Sequence, residues 1–225
     1  RTVGEVSALY PNFFTPAGIT FAIWGIIYLF LAGFVGYQVR DLFRSEPLEM
    51  PFRRKIGGWF LLSCLANCLW IVFWLNLQPG LALLMMLVLL VSLLVIYLRL
   101  DYRPLGNSAT ERVLVLVPFS LYTGWITVAT IANATAWLVD LGWKGDPLTR
   151  RVWGLVMIAV AALLGTWVVL RRRDPIYGAV IVWALVGILL ARVQASPVLP
   201  SLVIAAGLGI AIVIGGIVQV LRTEP

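Results

Sequence analysis

Asn67, Trp70 and Trp74 are spaced i, i+3, i+7 in the apolar run "LANCLWIVFW", which sets an amide and two indoles on one helical face. A second run, "WITVATIANATAW", carries Asn133 and Trp137 four apart, with Trp125 two turns earlier. A third, "TPAGITFAIWGIIY", places Trp24 and Tyr28 one turn apart behind a Pro-bearing entry. The chemistry on offer is recognition. Aromatic faces stack on flat apolar molecules, and buried amide and indole N–H groups must find a polar partner. Asn67 and Asn133 suit two roles that are compatible. As glue between helices each contributes about 1 kcal/mol; as ligand contacts they orient a polar edge.

Other chemistries are poorly served. The chain has no histidine, which removes the usual axial ligand of haem and the commonest transition-metal ligand. Cys64 and Cys68 are the only cysteines; four apart in an apolar run, they read as small packing thiols, too few for a disulfide framework or a zinc site. The only lysines, Lys55 and Lys144, fall in expected loops, so no Schiff base can form in a span. The central segments of the expected spans hold no Asp, Glu, Lys or Arg, which argues against a proton relay or ion-coupled pump. Without a histidine base, a carboxylate pair or a partnered nucleophile, the expectation is a protein that is not an enzyme and holds no metal.

The elements that position these residues follow from composition. Hydrophobic residues make up 61% of the 225 and charged residues 12%, about half the charged share of a soluble domain. The chain therefore reads as an integral membrane protein, all-α, a polytopic transmembrane helix bundle. Seven runs are long enough to span a bilayer: 16–38, 56–77, 79–99, 113–139, 151–170, 176–193 and 198–221. "NLQPG" makes a tight hairpin, "DYRPLGNSATE" a polar loop and "RRRDP" a stop and restart, while Pro197 and Pro200 open the last span. The fourth, rich in Gly, Ala and Thr, is expected at the centre, where small residues permit close approach.

Of the 17 basic residues, 12 fall at the ends reached after the odd-numbered spans, among them Arg44, Arg53, Arg54, Lys55, Arg103 and Arg171 to Arg173. That side is expected to be cytoplasmic, with the C-terminus on it and "TPAGITF" on the outer face. The positive charge thus has a topological use, and nucleic acid is not an expected partner. In this frame Trp24, Trp70, Trp74, Asn133 and Trp137 lie at similar depth in the outer half. Trp59, Trp143 and Trp153 fall near span ends as interfacial anchors, and Trp167 and Trp183 read as packing or lipid-facing residues.

The three motifs, in this order and with a short hairpin after the second, resemble the translocator protein family, also called tryptophan-rich sensory proteins. Pro16, Trp24 and Tyr28 match its second-helix entry. Asn67, Trp70, Phe73 and Trp74 match its third helix, and Trp125, Asn133 and Trp137 its fifth. Thr15, Gly18 and Phe21-Ala22 depart from the family's Pro, Trp and Gly-Pro at the entry. The resemblance implies a core over 1–140, a three-helix extension over 141–225, and a family first helix lying upstream of Arg1, which would make eight spans. It also implies an inter-helix pocket for a lipophilic small molecule, a tetrapyrrole or a sterol- or isoprenoid-like ligand. Trp24, Tyr28, Asn67, Trp70, Trp74, Trp125, Asn133 and Trp137 would line it. The expected role is sensing or transport-like, in a bacterial-type plasma membrane among membrane lipid, as a homo-oligomer or beside partner membrane proteins. The rival expectation is a structural subunit of a larger, pigment-holding membrane complex.

Overall fold

Four of the long helices begin on a proline, whose missing N–H does no harm in a first turn: α5 (Pro79–Arg99), α8 (Pro147–Arg172), α9 (Pro175–Val193) and α10 (Pro200–Arg222). Asp146 and Asp174 stand just before two of these prolines and cap them. Each accepts from two backbone N–H groups of the first turn, Leu148 and Thr149 in α8, Ile176 and Tyr177 in α9. The computed structural model describes residues 1–43, 50–100, 108–143 and 145–223. Arg44, Arg103 and Lys144, and the loop from 101 to 107, lie outside the described residues.

Upstream are the short α1 (Val3–Ala8), a 3-10 turn (Gly18–Ala22) leading into α2 (Ile23–Val39), the single turn α3 (Phe52–Ile56) and α4 (Trp59–Leu75). Between α5 and α9 come the brief α6 (Ala109–Glu111), a π turn (Arg112–Leu116), α7 (Val117–Asp140) and then α8. The chain is a polytopic helical bundle. Among the described residues, six segments are long and apolar enough to cross a membrane. The remaining expected span, 56–77, second in order, is the 17-residue apolar helix α4, about 25 Å long at 1.5 Å per residue, and it packs along α5.

The span containing α7 is 67% buried, against 28% to 44% for the other five, so the small-residue span is central as expected. It packs against α2, α5, α8 and α9. Its polar residues do not disturb the apolar interior, because Thr123, Thr127, Thr130 and Thr135 each donate to the carbonyl four residues back. On α4, by contrast, Cys64 and Cys68 are exposed on the bundle's outer surface. They are not the interior packing residues their apolar run suggested, since that face of α4 turns away from its neighbours.

At the arginine-rich end sits a carboxylate that falls between two spans in the sequence yet is only 3% exposed. Besides capping α9, Asp174 accepts from Tyr97 Oη at 2.8 Å and Ser120 Oγ at 2.5 Å. One side chain thus ties α5, α7 and α9 together. Arg172 adds to this joint by donating to the carbonyls of Tyr97 and Leu100.

Candidate functional site

At the opposite end α1, α2, α4 and α7 converge on Trp24. Its ring stacks on Trp70 at 5.3 Å and on Tyr28 at 5.5 Å, both at 26°, and meets Tyr122 and Trp125 edge-on at 6.0 and 6.2 Å. Trp70 lies nearly parallel to Trp74, 6.3 Å away, and Tyr10 covers Trp74 at 5.7 Å. Such offset and edge contacts add about 0.5–1.5 kcal/mol each beyond the area they bury.

Polar groups knit the cluster. Trp70 Nε1 donates to Asn133 Oδ1 at 3.0 Å, and Asn133 Nδ2 donates to the Ala129 carbonyl. Asn67 Nδ2 donates to Tyr28 Oη at 3.0 Å, and Trp74 Nε1 to the Val3 carbonyl at 3.2 Å. Three buried atoms of the cluster have no hydrogen-bond partner: Trp24 Nε1, Trp125 Nε1 and Asn67 Oδ1. Turning the Asn67 amide over leaves its other end unpaired instead. No charged residue is among those lining the space between these groups.

Of the eight residues singled out from sequence, seven come together. Trp24, Tyr28, Asn67, Trp70, Trp74, Trp125 and Asn133 form the cluster, with Tyr28 at its edge and 42% exposed. Trp137 lies apart. One turn beyond Asn133 it has moved toward the helix end, and its indole sits over Gly80 at the start of α5. The spacing i, i+4 carries a side chain about 40° around the helix and 6 Å along it, enough to change neighbours.

Four participants were missed. Phe21 meets Trp125 edge-on at 6.0 Å, Tyr122 backs Trp24, Tyr10 covers Trp74, and the Val3 carbonyl receives the Trp74 N–H. Tyr122 had a signal, lying three residues before Trp125 on the same face. So did α1, whose Thr2 and Glu5 form a capping box.

The space left inside the cluster is about 30 Å³, room for roughly one water. Two larger clefts adjoin it, and α1 contributes to the walls of both. One, about 780 Å³, runs along α1 and shares Val3, Pro16, Phe21, Trp24 and Trp70 with the cluster. The other, about 800 Å³, lies toward the ends of α7, α8 and α9 and shares Ser7 and Pro16. Next to α1, Tyr10 has its phenol pushed above the usual range, by burial first and then by the nearby Asp140 carboxylate.

The entry segment is held from both sides. Asn12 Oδ1 accepts from Phe14 and Thr15 N–H, and its Nδ2 donates to the Tyr10 carbonyl and Thr15 Oγ1. Farther on, Ala17 N–H donates to the Gly187 carbonyl of α9 at 2.9 Å, and Trp183 Nε1 to the Thr20 carbonyl at 2.9 Å. Gly187 is required at this approach, because a Cβ there would overlap the Thr20 side chain. Trp183, which sequence left as packing or lipid-facing, is the hydrogen-bonded clasp.

Among the described residues no group of three or more His, Cys, Asp or Glu side chains could hold a metal. No curated protein and no solved structure matches the chain. A sequence model for the family described as TSPO-like protein matches residues 1–219, nearly the whole length. The helical membrane bundle and the tryptophan–asparagine cluster are thus those of a member of the TSPO-like protein family, to which this chain belongs.

Proposed function

We propose that the protein binds a flat lipophilic ligand at the Trp24 cluster, in a sensing or transport-like role. The observation that carries this reading is the unpaired Trp24 Nε1 and Trp125 Nε1, on two indoles that line a nearly filled space, with one end of the Asn67 amide also buried and unpaired in the same cluster. Leaving such a group unsatisfied costs about 1–3 kcal/mol. A ligand bearing a carbonyl or carboxylate oxygen relieves the indoles, and an adjoining donor relieves the amide. The arrangement is read as a closed state. The 780 Å³ cleft beside α1 is the size of ordinary ligand pockets, roughly 300–1,000 Å³, and Trp24 and Trp70 are among the residues that line it. A ligand seated there and inserting between α1 and the indoles gains both stacking area and the free N–H groups. Tetrapyrroles with acidic edges and oxygenated sterol- or isoprenoid-like molecules fit this description. The excess of arginine at the far end supports a plasma-membrane orientation with that end cytoplasmic, which sets the cluster near the outer surface.

The test is tryptophan-fluorescence quenching in lipid nanodiscs, with protoporphyrin as the probe and a sterol as competitor. Saturable quenching by the wild type, weakened at least about tenfold in Trp70→Ala and unchanged in the lipid-facing Trp167→Ala, is the expected result. Quenching that never saturates, together with no effect of sterol, overturns the reading.

A further inference from the structure

The second cleft, about 800 Å³, meets the site above at Ser7, Tyr10 and Pro16 but is lined by none of its indoles. It opens between α1, the turn over residues 10–16 and the converging ends of α7, α8 and α9. Its walls are unlike the cluster's because two arginines, Arg150 and Arg192, stand among Phe13, Trp143 and Trp153. Arg192 is in the last turn of α9 and half-buried, and its guanidinium lies 5.5 Å from the Phe13 ring. An arginine so placed ordinarily bonds the terminal carbonyls of its own helix. Here its Nε is shut away from solvent with no partner. No carboxylate lines the cleft among the described residues, and the nearby Asp146 is engaged in capping α8. Trp143 and Trp153 pack edge-on at 5.6 Å, and Trp153 is fixed by its N–H bond to Thr135. The wall is therefore rigid, aromatic and on the same side as the cations.

A half-buried guanidinium with an unused donor matches a carboxylate or phosphate, which accepts its N–H groups in a fork. The aromatic wall matches an apolar body attached to that anion. We propose that this cleft is a binding site for an amphipathic anion, its charged head on Arg192 and Arg150 and its chain or ring along Phe13, Trp143 and Trp153. The site is separate from the Trp24 cluster and does not rest on the reading given for it. Two sources carry the same chemistry: the phosphate of an anionic lipid, and the carboxylate of a free amphiphilic acid.

Native mass spectrometry of the protein in phosphatidylcholine nanodiscs, doped in one arm with phosphatidylglycerol and supplied in the other with oleate, tests the site. One anion should be retained saturably, one per chain. Arg192→Gln should weaken retention at least about tenfold, as loss of a charge-assisted contact does, and Arg150→Gln by a smaller factor. Arg222→Gln, at the opposite end, and Trp167→Ala, on the outer surface of α8, should leave it unchanged. Retention of phosphatidylglycerol identifies a lipid site, and retention of oleate alone a site for a soluble acid. If Arg192→Gln fails to fold, the exposed Arg150→Gln carries the comparison. The proposal is overturned if neither anion is retained saturably, or if the Arg150 and Arg192 variants bind as Arg222→Gln does.

Discussion

Trp70 donates its indole N–H to the side-chain oxygen of Asn133, 63 residues away and on another helix, at 3.0 Å. The bond crosses from α4 to α7 without α5, the helix both of them pack against. Asn133→Leu leaves the Trp70 N–H buried and unpaired, so the single variant should lose about 1–3 kcal/mol. Removing both groups, in Asn133→Leu with Trp70→Phe, should recover part of that loss, with a coupling near 0.6–1.7 kcal/mol by analogy with other membrane bundles. Reversible unfolding in mixed micelles measures all four corners of the cycle.

Gly187→Ala should push the Thr20 side chain away and lengthen the bond from Ala17 to α9. Overpacking of this kind costs about 1–3 kcal/mol. The loss should appear as a lower thermal midpoint and be partly reversed by adding Thr20→Ala. A midpoint equal to wild type means the entry turn yields without resistance.

Trp74 holds α1 through the Val3 carbonyl. Trp74→Phe keeps most of the ring and releases the tether. If α1 is the barrier between cleft and cluster, stopped-flow quenching by protoporphyrin should be faster in this variant by several-fold. An unchanged rate places the barrier elsewhere.

Asp174 accepts four hydrogen bonds. Asp174→Asn retains a good helix cap but replaces one acceptor oxygen with a donor facing Tyr97 and Ser120. A loss of about 1.5–3 kcal/mol is expected, since bonds to a charged group are the stronger ones. Its site on the molecule also makes a sharp control, as ligand quenching at the far end should survive.

The other capping carboxylate gives a pH test. Asp146 has its pKa held below the ordinary aspartate value, first by the Thr149 hydroxyl and then by the Thr149 and Leu148 N–H groups. A depressed folded pKa stabilises the fold above the unfolded value, and the contribution is lost as pH falls through the folded one. Wild type should therefore lose thermal stability below about pH 4 relative to Asp146→Asn, whose cap does not titrate. Parallel curves from pH 6 to pH 3 remove the cap from the account.

Much of the cluster was legible because spacing and depth are properties of single helices. Asn67, Trp70 and Trp74 share a face by arithmetic, and alternation of direction sets Trp24 and Asn133 at the same level. Which faces meet is another matter. Trp137 has the right depth but points at α5, and nothing local to α7 says where the glycine of α5 will be. The exposure of Cys64 and Cys68 and the burial of Asp174 depend likewise on neighbours. Nor could composition show that α1, whose short run reads as a polar lead, folds back to cover the indoles, or that two N–H groups would be left over once the rings had packed.

The bond from Ala17 to Gly187 also has a meaning in time. Residue 17 leaves the ribosome long before residue 187, so the entry turn must stand in the nascent bundle with its N–H and the Thr20 carbonyl unanswered. In a membrane such groups draw water or a chaperoning helix until a partner arrives. The clasp closes only once α9 has been inserted. The indole cluster of this protein is thus begun by helices made early and secured by one made later.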